Sequence, residues 1–417
     1  MTLIYVVAGE ASGDVLGARL VAALRRRQPA LEFAGIGGER MAEQGIASLF
    51  PFRELALMGL VEVLPKIRQL ARRLREAAED VAAKRPAVVV TIDSPGFAMR
   101  LAERVRPLGI PVVHYVAPQV WAWRPGRVRA LRQKLDLILC LLPFEPAFFE
   151  AAGVPVRFVG HPVLESGADR GDAARFLAAH GIGAGERPVM VMPGSRRMEV
   201  KRLLPIFGAA LRLAAERVPG LRPVVAVAPI VAEAVRRAAV GWPAAPILVE
   251  ALADKHDAFA AVAARGGAGL IKSGTSSLEM AVAGIPHVVA YRVNPVTAAI
   301  VRRLIQVPHA SLVNLLAERE VVPERIQENC TPAKLAEALV APLADPAIAA
   351  AQRAGFAEAL ALLRPPERMP SEALPSDTLP TETLPSEALP SEALPSDTLP
   401  SEAAATAVLE LVARSAS

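Results

Sequence analysis

Two glycine- and hydroxyl-rich turns, VAGEASGD at Val7 to Asp14 and IKSGTSSLE at Ile271 to Glu279, carry residue types suited to holding an anion. Each follows an apolar run of strand type and opens a helical pattern, which leaves backbone N–H groups at a helix N-terminus for a phosphate or carboxylate. In the first turn Gly9 and Gly13 flank Glu10 and Ser12. It lacks the Lys-Ser/Thr ending of a P-loop and the spacing of a dinucleotide fingerprint, and its mixture of carboxylate and donors suits a hydroxylated or phosphorylated sugar. In the second, Gly274 permits close backbone approach, Thr275 and Ser276 add hydroxyls at the helix start, and Glu279 is placed to accept from ribose hydroxyls.

A third turn, MPGSRRMEV at Met192 to Val200, sets Ser195 and Arg196 beside a helix start with Glu199 in the first turn. The planar fork of an arginine makes paired charge-assisted bonds to a diphosphate. TIDSPGF, Thr91 to Phe97, puts Asp93 at the carboxyl end of a strand, where open α/β sheets place their chemistry and a general base for a sugar hydroxyl fits. Plainer readings stand beside these. The hydroxyls of SGTSS serve as ordinary helix caps, Arg196 makes a surface ion pair, and Asp93 caps the turn before Ser-Pro.

The elements that position these residues are of one kind. Apolar runs at Leu3 to Ala8, Ala87 to Ile92, Pro111 to Val116 and Asp136 to Leu141 alternate with helical stretches such as Val15 to Arg27 and Lys66 to Lys84. Continuous apolar strands between helices predict a parallel sheet covered on both faces. After GHP at Gly160 to Pro162 a second series begins, at Val189 to Met192, Val224 to Ala228, Ile247 to Val249, Gly269 to Ile271 and His287 to Tyr291. The pattern predicts an α/β protein of two Rossmann-like domains facing across a cleft, one for each of two substrates, over residues 1–165 and 166–365. From Met369 to Ala403 the chain is seven pentads of the form LPSEA, LPSDT or LPTET, the first opening with Met. Proline every fifth residue and a polar, acidic composition predict a solvated linker over 366–403. A helical pattern resumes over 404–417, around Val408, Leu409, Leu411 and Val412.

At 417 residues the chain exceeds one ordinary core, and with 53% hydrophobic but only 4% aromatic residues that core is built from Ala, Val, Leu and Ile. A formal charge of +5, mostly from arginine, suits phosphorylated substrates or anionic lipid. No zinc knuckle, RNP-type strand or helix-turn-helix pattern points to nucleic acid. Cys140 and Cys330 lack a CxxC partner, which predicts a reduced, cytosolic compartment. The N-terminus reads as a strand and not a signal peptide, and no apolar stretch approaches the ~20 residues that span a bilayer. No HExxH or His-Cys cluster appears among the dispersed histidines, so no protein-bound metal is expected.

Leu55 to Arg75 joins a strongly apolar stretch, including Met58, Leu60, Val61 and Leu64, to the basic residues Lys66, Arg68, Arg72, Arg73 and Arg75. Such a segment can seat in an anionic membrane surface, and plain core burial explains it equally well. HYVAPQVWAWRPGR, His114 to Arg127, gathers Trp121 and Trp123 beside Arg124 and Arg127, a composition for a lipid interface, a substrate cleft or packing between domains.

Through VAGEASGD, LMGLVEVLP, IDSPGF, HYVAPQVWAWR, LPFE, GHP, PGSR…E, SGTSSLE and SLVNLLAERE, in order over roughly residues 3–340, the chain resembles the lipid-A-disaccharide synthases, glycosyltransferases of GT-B fold. The resemblance implies an inverting, metal-independent transfer with no cofactor, in which 2,3-diacylglucosamine passes from its UDP derivative to the 6-hydroxyl of 2,3-diacylglucosamine 1-phosphate. It implies diacylated sugar substrates and a cytoplasmic protein attached peripherally to the anionic inner face of the cytoplasmic membrane. A homo-oligomer is compatible with it. By matching positions, Asp93 is the implied base and Arg196 the stabiliser of the departing diphosphate. Ser195, Gly274, Thr275, Ser276, Glu279 and Asn314 are implied nucleotide contacts, and Glu10, Ser12, Gly13 and Asp14 form the acceptor-side turn. Met58, Leu60, Val61, Leu64, Trp121 and Trp123 are the implied membrane or acyl contacts. Some members carry a second aspartate where Gly96 stands here, and the pentads interrupt the region where GT-B chains send a helix back to the first domain. A UDP-N-acetylglucosamine 2-epimerase shares the SGT…E type of site without the apolar-basic segment, and a UDP-sugar sensor would need no base.

Overall fold

The structure is a computed structural model and describes residues 2–55, 67–119, 128–294, 298, 307–366 and 398–416. They fall into two compact units. The first comprises the chain up to Pro118, the stretch ending at Pro162 and the C-terminal residues from Arg364; the second runs mainly through Val163–Leu363.

The first unit is built on six parallel strands: β1 (Leu3–Ala8), β2 (Glu32–Ile36), β3 (Val88–Ile92), β4 (Val112–Tyr115), β5 (Leu137–Cys140) and β6 (Val156–Phe158), in the order β2-β1-β3-β4-β5-β6. The chain leaves β1 toward β2 on one side and returns to β3 on the other. The switch point therefore lies between the carboxyl ends of β1 and β3, the position at which open α/β sheets bind ligands. Every residue of β3 is buried, which explains its uninterrupted VVVTI run.

One face of this sheet is covered by helix Ala11–Arg27, through Leu16, Leu20, Val21 and Leu24. Beside it packs helix Pro400–Ala416, whose Ala404, Ala405, Ala407 and Val408 are sealed in the same core. The expected C-terminal helix thus joins the first unit. It begins at Pro400, inside the last pentad and ahead of the expected Ala404, because a proline in the first helical turn gives up no hydrogen bond. Glu402 of that pentad pairs with Arg26 at 2.6 Å and Arg27 at 2.9 Å, and Glu410 pairs with Arg157 at 2.6 Å.

The second unit repeats the plan with β7 (Arg187–Met192), β8 (Leu221–Ala226), β9 (Ile247–Val249), β10 (Gly269–Lys272), β11 (His287–Tyr291) and β12 (Glu324–Ile326), all parallel in the order β12-β11-β10-β7-β8-β9. Here the switch point lies between β7 and β10. Helices Arg197–Arg217 and Pro332–Ala344 close one face through Leu203, Phe207, Leu211, Leu335 and Leu339. Three edge strands, β2, β6 and β12, were not among the predicted runs. Cys140 and Cys330 are buried free thiols.

Candidate active site

At the first switch point VAGEASGD and IDSPGF lie side by side, since β1 and β3 pair with Ala8 opposite Ile92. Asp93 and Ser94 both take left-handed backbone, at φ 53° and 49°, and Val116 at the end of the neighbouring β4 does so at 78°. Each is costly for a residue with a β-carbon, most of all for a β-branched one. Three such residues at the carboxyl edge of two paired strands mark the place where backbone is bent to aim side chains. Asp93 is half-buried; its N–H donates to Tyr115 O at 3.0 Å, and its Oδ1 accepts from Ser94 N at 2.7 Å. Helix Pro95–Val105 starts directly behind it, and no side chain caps that start.

Glu10 stands at the N-cap of helix Ala11–Arg27, Ser12 is exposed, and Gly13 packs against Ile92. Asp14, expected on the acceptor side, is spent elsewhere. It is buried, and its two oxygens accept from Gly38 N at 2.7 Å, Arg40 N at 3.0 Å and Met41 N at 3.1 Å, capping the short helix Glu39–Glu43. These bonds fix the turn after β2. Glu145 of LPFE is similarly structural, accepting from Leu141 N and Leu142 N at 3.0 Å each.

At the second switch point β7 and β10 pair with Met192 opposite Ile271, which sets MPGSR beside KSGTSS. Ser195, Arg196 and Thr275 are exposed, while Gly274 and Ser276 are partly so. Thr275 occupies the N-cap of helix Ser276–Val282 but makes no capping hydrogen bond, so the plain reading of that hydroxyl as a cap does not describe this turn. Arg196 Nη1 lies 3.6 Å from Glu199 Oε1, and Lys272 Nζ lies 3.3 Å from the same oxygen. Glu199 Oε2 is buried without a hydrogen-bond partner. Burial pushes the Lys272 ammonium below its ordinary pKa, against the pull of Glu199. Sequence spacing gave no reason to single out Lys272; the only signal is a lone cation at the strand end preceding SGTSS.

Behind these turns a buried network fixes their shape. His287 Nδ1 donates to Ile285 O at 3.0 Å, which leaves Nε2 to accept from Ser277 Oγ at 2.8 Å, and Ser311 Oγ meets Ser277 Oγ at 2.9 Å. Glu279 accepts from Lys255 Nζ at 2.8 Å. Asn314, expected to touch nucleotide, is fully buried and uses its whole amide: Nδ2 donates to Val322 O at 2.8 Å and Glu324 Oε1 at 2.9 Å, and Oδ1 accepts from Val321 N at 2.8 Å and Val322 N at 2.9 Å. It holds a loop and has no donor or acceptor left for a ligand.

Met58, Leu60, Val61, Leu64, Trp121 and Trp123 lie outside the described residues. Among the described residues no group of three or more His, Cys, Asp or Glu is placed to hold a metal ion, and no helix is long and apolar enough to cross a membrane.

Known proteins share both sequence and fold with this chain. The family profile for lipid-A-disaccharide synthetase matches residues 4–373. The lipid-A-disaccharide synthase of Gluconobacter oxydans is 53% identical over 369 residues, 88% of each chain. That of Granulibacter bethesdensis is 56% identical over 337 residues, 81% of this chain and 85% of its own. Among solved structures, S. aureus MnaA with UDP superposes with a TM-score of 0.60 at 14% identity, covering 86% of this chain and 92% of that one. The spinosyn rhamnosyltransferase SpnG gives 0.52 at 15%, covering 88% and 97%. At those identities the structures speak for the fold, which is the two-Rossmann plan shared by GT-B glycosyltransferases and epimerases. The sequence relatives speak for kinship: the chain belongs to the lipid-A-disaccharide synthase family.

Proposed function

We propose that this chain condenses UDP-2,3-diacylglucosamine with 2,3-diacylglucosamine 1-phosphate, giving the β(1→6)-linked disaccharide 1-phosphate and UDP. Asp93 takes the proton of the acceptor 6-hydroxyl as its oxygen attacks C1 of the donor, the bond from C1 to the diphosphate oxygen breaks, and the configuration at C1 inverts. The charge that collects on the leaving diphosphate is met by Arg196 and by the N–H groups of the PGSR and SGTSS turns, as fixed positive groups stabilise a transition state without reorganising. These groups make a protein-bound metal unnecessary. The observation that carries the reading is the strained Asp93–Ser94 turn at the first switch point, in a chain whose family is shown.

Attachment to the anionic face of a membrane belongs to the same reading. Helix Ile67–Lys84 buries Leu74, Ala77 and Val81 and presents Arg68, Arg72 and Arg75 to solvent, which supports a cationic contact surface beside the apolar segment that precedes it. Sedimentation with anionic vesicles checks this, and unchanged binding after charge reversal of the three arginines refutes it.

The reaction itself is tested in detergent micelles with both sugars and EDTA, following UDP and disaccharide by mass spectrometry. Disaccharide formed under chelation supports transfer and its metal independence. UDP without disaccharide points to hydrolysis or epimerase-like chemistry, and UDP binding with no turnover points to a sensor.

A further inference from the structure

Two cationic side chains of the second unit converge on a single carboxylate oxygen. Glu199 Oε1 has Lys272 Nζ at 3.3 Å and Arg196 Nη1 at 3.6 Å. Both are ion pairs longer than the 2.7–2.9 Å of the tightest charge-assisted bonds, and one oxygen is shared between two cations. The other oxygen, Oε2, is buried with no hydrogen-bond partner, a rarity in native interiors that asks for a reason. Two cations against one anion leave an excess of positive charge, and the uncapped start of helix Arg197–Arg217 adds its own.

Lys272 is the last residue of β10, immediately before the SGTSS turn, and its strand pairs with the one that ends in PGSR. Its side chain is 19% exposed, against 58% for Arg196, so the ammonium is reachable but mostly withdrawn from water. Glycines keep it uncovered. A β-carbon on Gly274 would lie 3.7 Å from Nζ, and one on Gly194, at φ 102°, would lie 3.4 Å from Lys272 Cδ and 3.3 Å from Glu199 Oε2. The ammonium also sits 5.7 Å from the centre of the Tyr291 ring, which steadies a cation without neutralising it.

We propose that Lys272 is a second diphosphate-binding cation of the donor site, and that Glu199 is a positioning residue that keeps Lys272 and Arg196 beneath the two turns until a nucleoside diphosphate takes them over. This deepens, and rests on, the reading of the chain as a UDP-sugar transferase. A metal-free site must neutralise a leaving diphosphate with its own side chains, and one exposed arginine does so poorly. A partly desolvated ammonium gains more from an arriving anion than one already in water, because it has less hydration to surrender. No bond is made or broken by Lys272; it binds the diphosphate before transfer and holds it more tightly as its charge grows.

The test is calorimetric titration of UDP and of uridine into the full chain, with donor KM and kcat measured in parallel. Lys272→Met is expected to weaken UDP by ~10-fold or more, the loss of one hydrogen bond to a charged group, and to leave uridine unchanged. Donor KM rises and kcat falls, and Lys272→Arg recovers most of both. Because Lys272→Met strands the Glu199 charge, the double variant Lys272→Met with Glu199→Gln removes the pair together, and it is expected to stay folded and show the same UDP-specific loss. Equal weakening of UDP and uridine, or unchanged UDP affinity in the double variant, overturns the assignment of Lys272. A wild-type chain that binds no UDP overturns the transferase reading itself.

Discussion

Gly9 and Ser94 leave no space for a β-carbon between them: one built on Gly9 would lie 2.5 Å from both Cβ and Oγ of Ser94. This contact joins the two turns of the first switch point, so the glycine sets the position of Asp93 from across the sheet. Gly9→Ala is expected to displace the Ser94 turn at a cost of about 1–3 kcal/mol, the range for forcing an extra methyl into a packed site. Turnover falls with the melting temperature, whereas UDP affinity, assigned to the second unit by the proposed function, does not. A kinetic and calorimetric pair of measurements checks both halves.

Asp93→Asn retains the shape of the turn and removes the proposed base. Turnover is expected to drop about 10²–10⁴-fold, with UDP affinity unchanged. Gly96, two residues into the following helix region, offers a way back, since a β-carbon there meets nothing within 4 Å. Gly96→Asp fits without strain and places a carboxylate at a helix start that favours it. In the Asp93→Asn background it is expected to restore part of the lost turnover, and assay of the single and double variants decides this.

The strands that sit inside each sheet were legible because burial on both faces leaves an unbroken apolar run. Ile247–Val249 and His287–Tyr291 match their predicted limits residue for residue. The edges β6 and β12 were not legible, since each is only three partly exposed residues, with Arg157 in one and Glu324 and Arg325 in the other, and such a run has no apolar signature. The turns at the two switch points were visible as motifs, but spacing does not say where a side chain points. Asp14 and Asn314 fall within conspicuous motifs and yet turn inward to backbone N–H groups, while Lys272 falls in a motif for its neighbours and turns toward Glu199.

Asn314→Ala is therefore a test of stability. It leaves Val321 N and Val322 N without their acceptor and takes from Glu324 one of its donors, in a buried setting. A loss of about 3 kcal/mol is expected in denaturant unfolding. Any weakening of UDP follows from the looser 310–322 segment, and Asn314→Asp, which keeps the acceptor but not the donors, recovers only part of the stability.

Removing Thr398–Ala416 uncovers the apolar surface of Leu16, Leu20 and Leu24 that Ala404, Ala405, Ala407 and Val408 cover. The shortened chain is expected to melt lower and to lose turnover. Excising three of the seven pentads and keeping the helix is expected to change neither by much, since the cost of closing a loop varies only as the logarithm of its length. Thermal unfolding of the two shortened chains side by side separates helix from spacer.

Acid should weaken both units through their buried histidines. Burial holds His114, His161 and His287 at a pKa of about 4, against an ordinary 6.5. Between these values the unfolded chain takes up protons that the folded chain refuses, so stability is constant above about pH 6.5 and falls as pH drops toward 4. Denaturant midpoints measured from pH 7 to pH 5 are expected to decline, and His287→Gln is expected to flatten that slope.

The pairing of helix Ala11–Arg27 with helix Pro400–Ala416 also fixes the order of events during synthesis. The unit that leaves the ribosome first is finished after the second, because its core lacks a wall until translation has passed Pro400–Ala416. The second unit holds all of its own strands and can fold while the first still waits with an open apolar face. That interval, and not the finished protein, is when the chain is most exposed to aggregation and to chaperone capture.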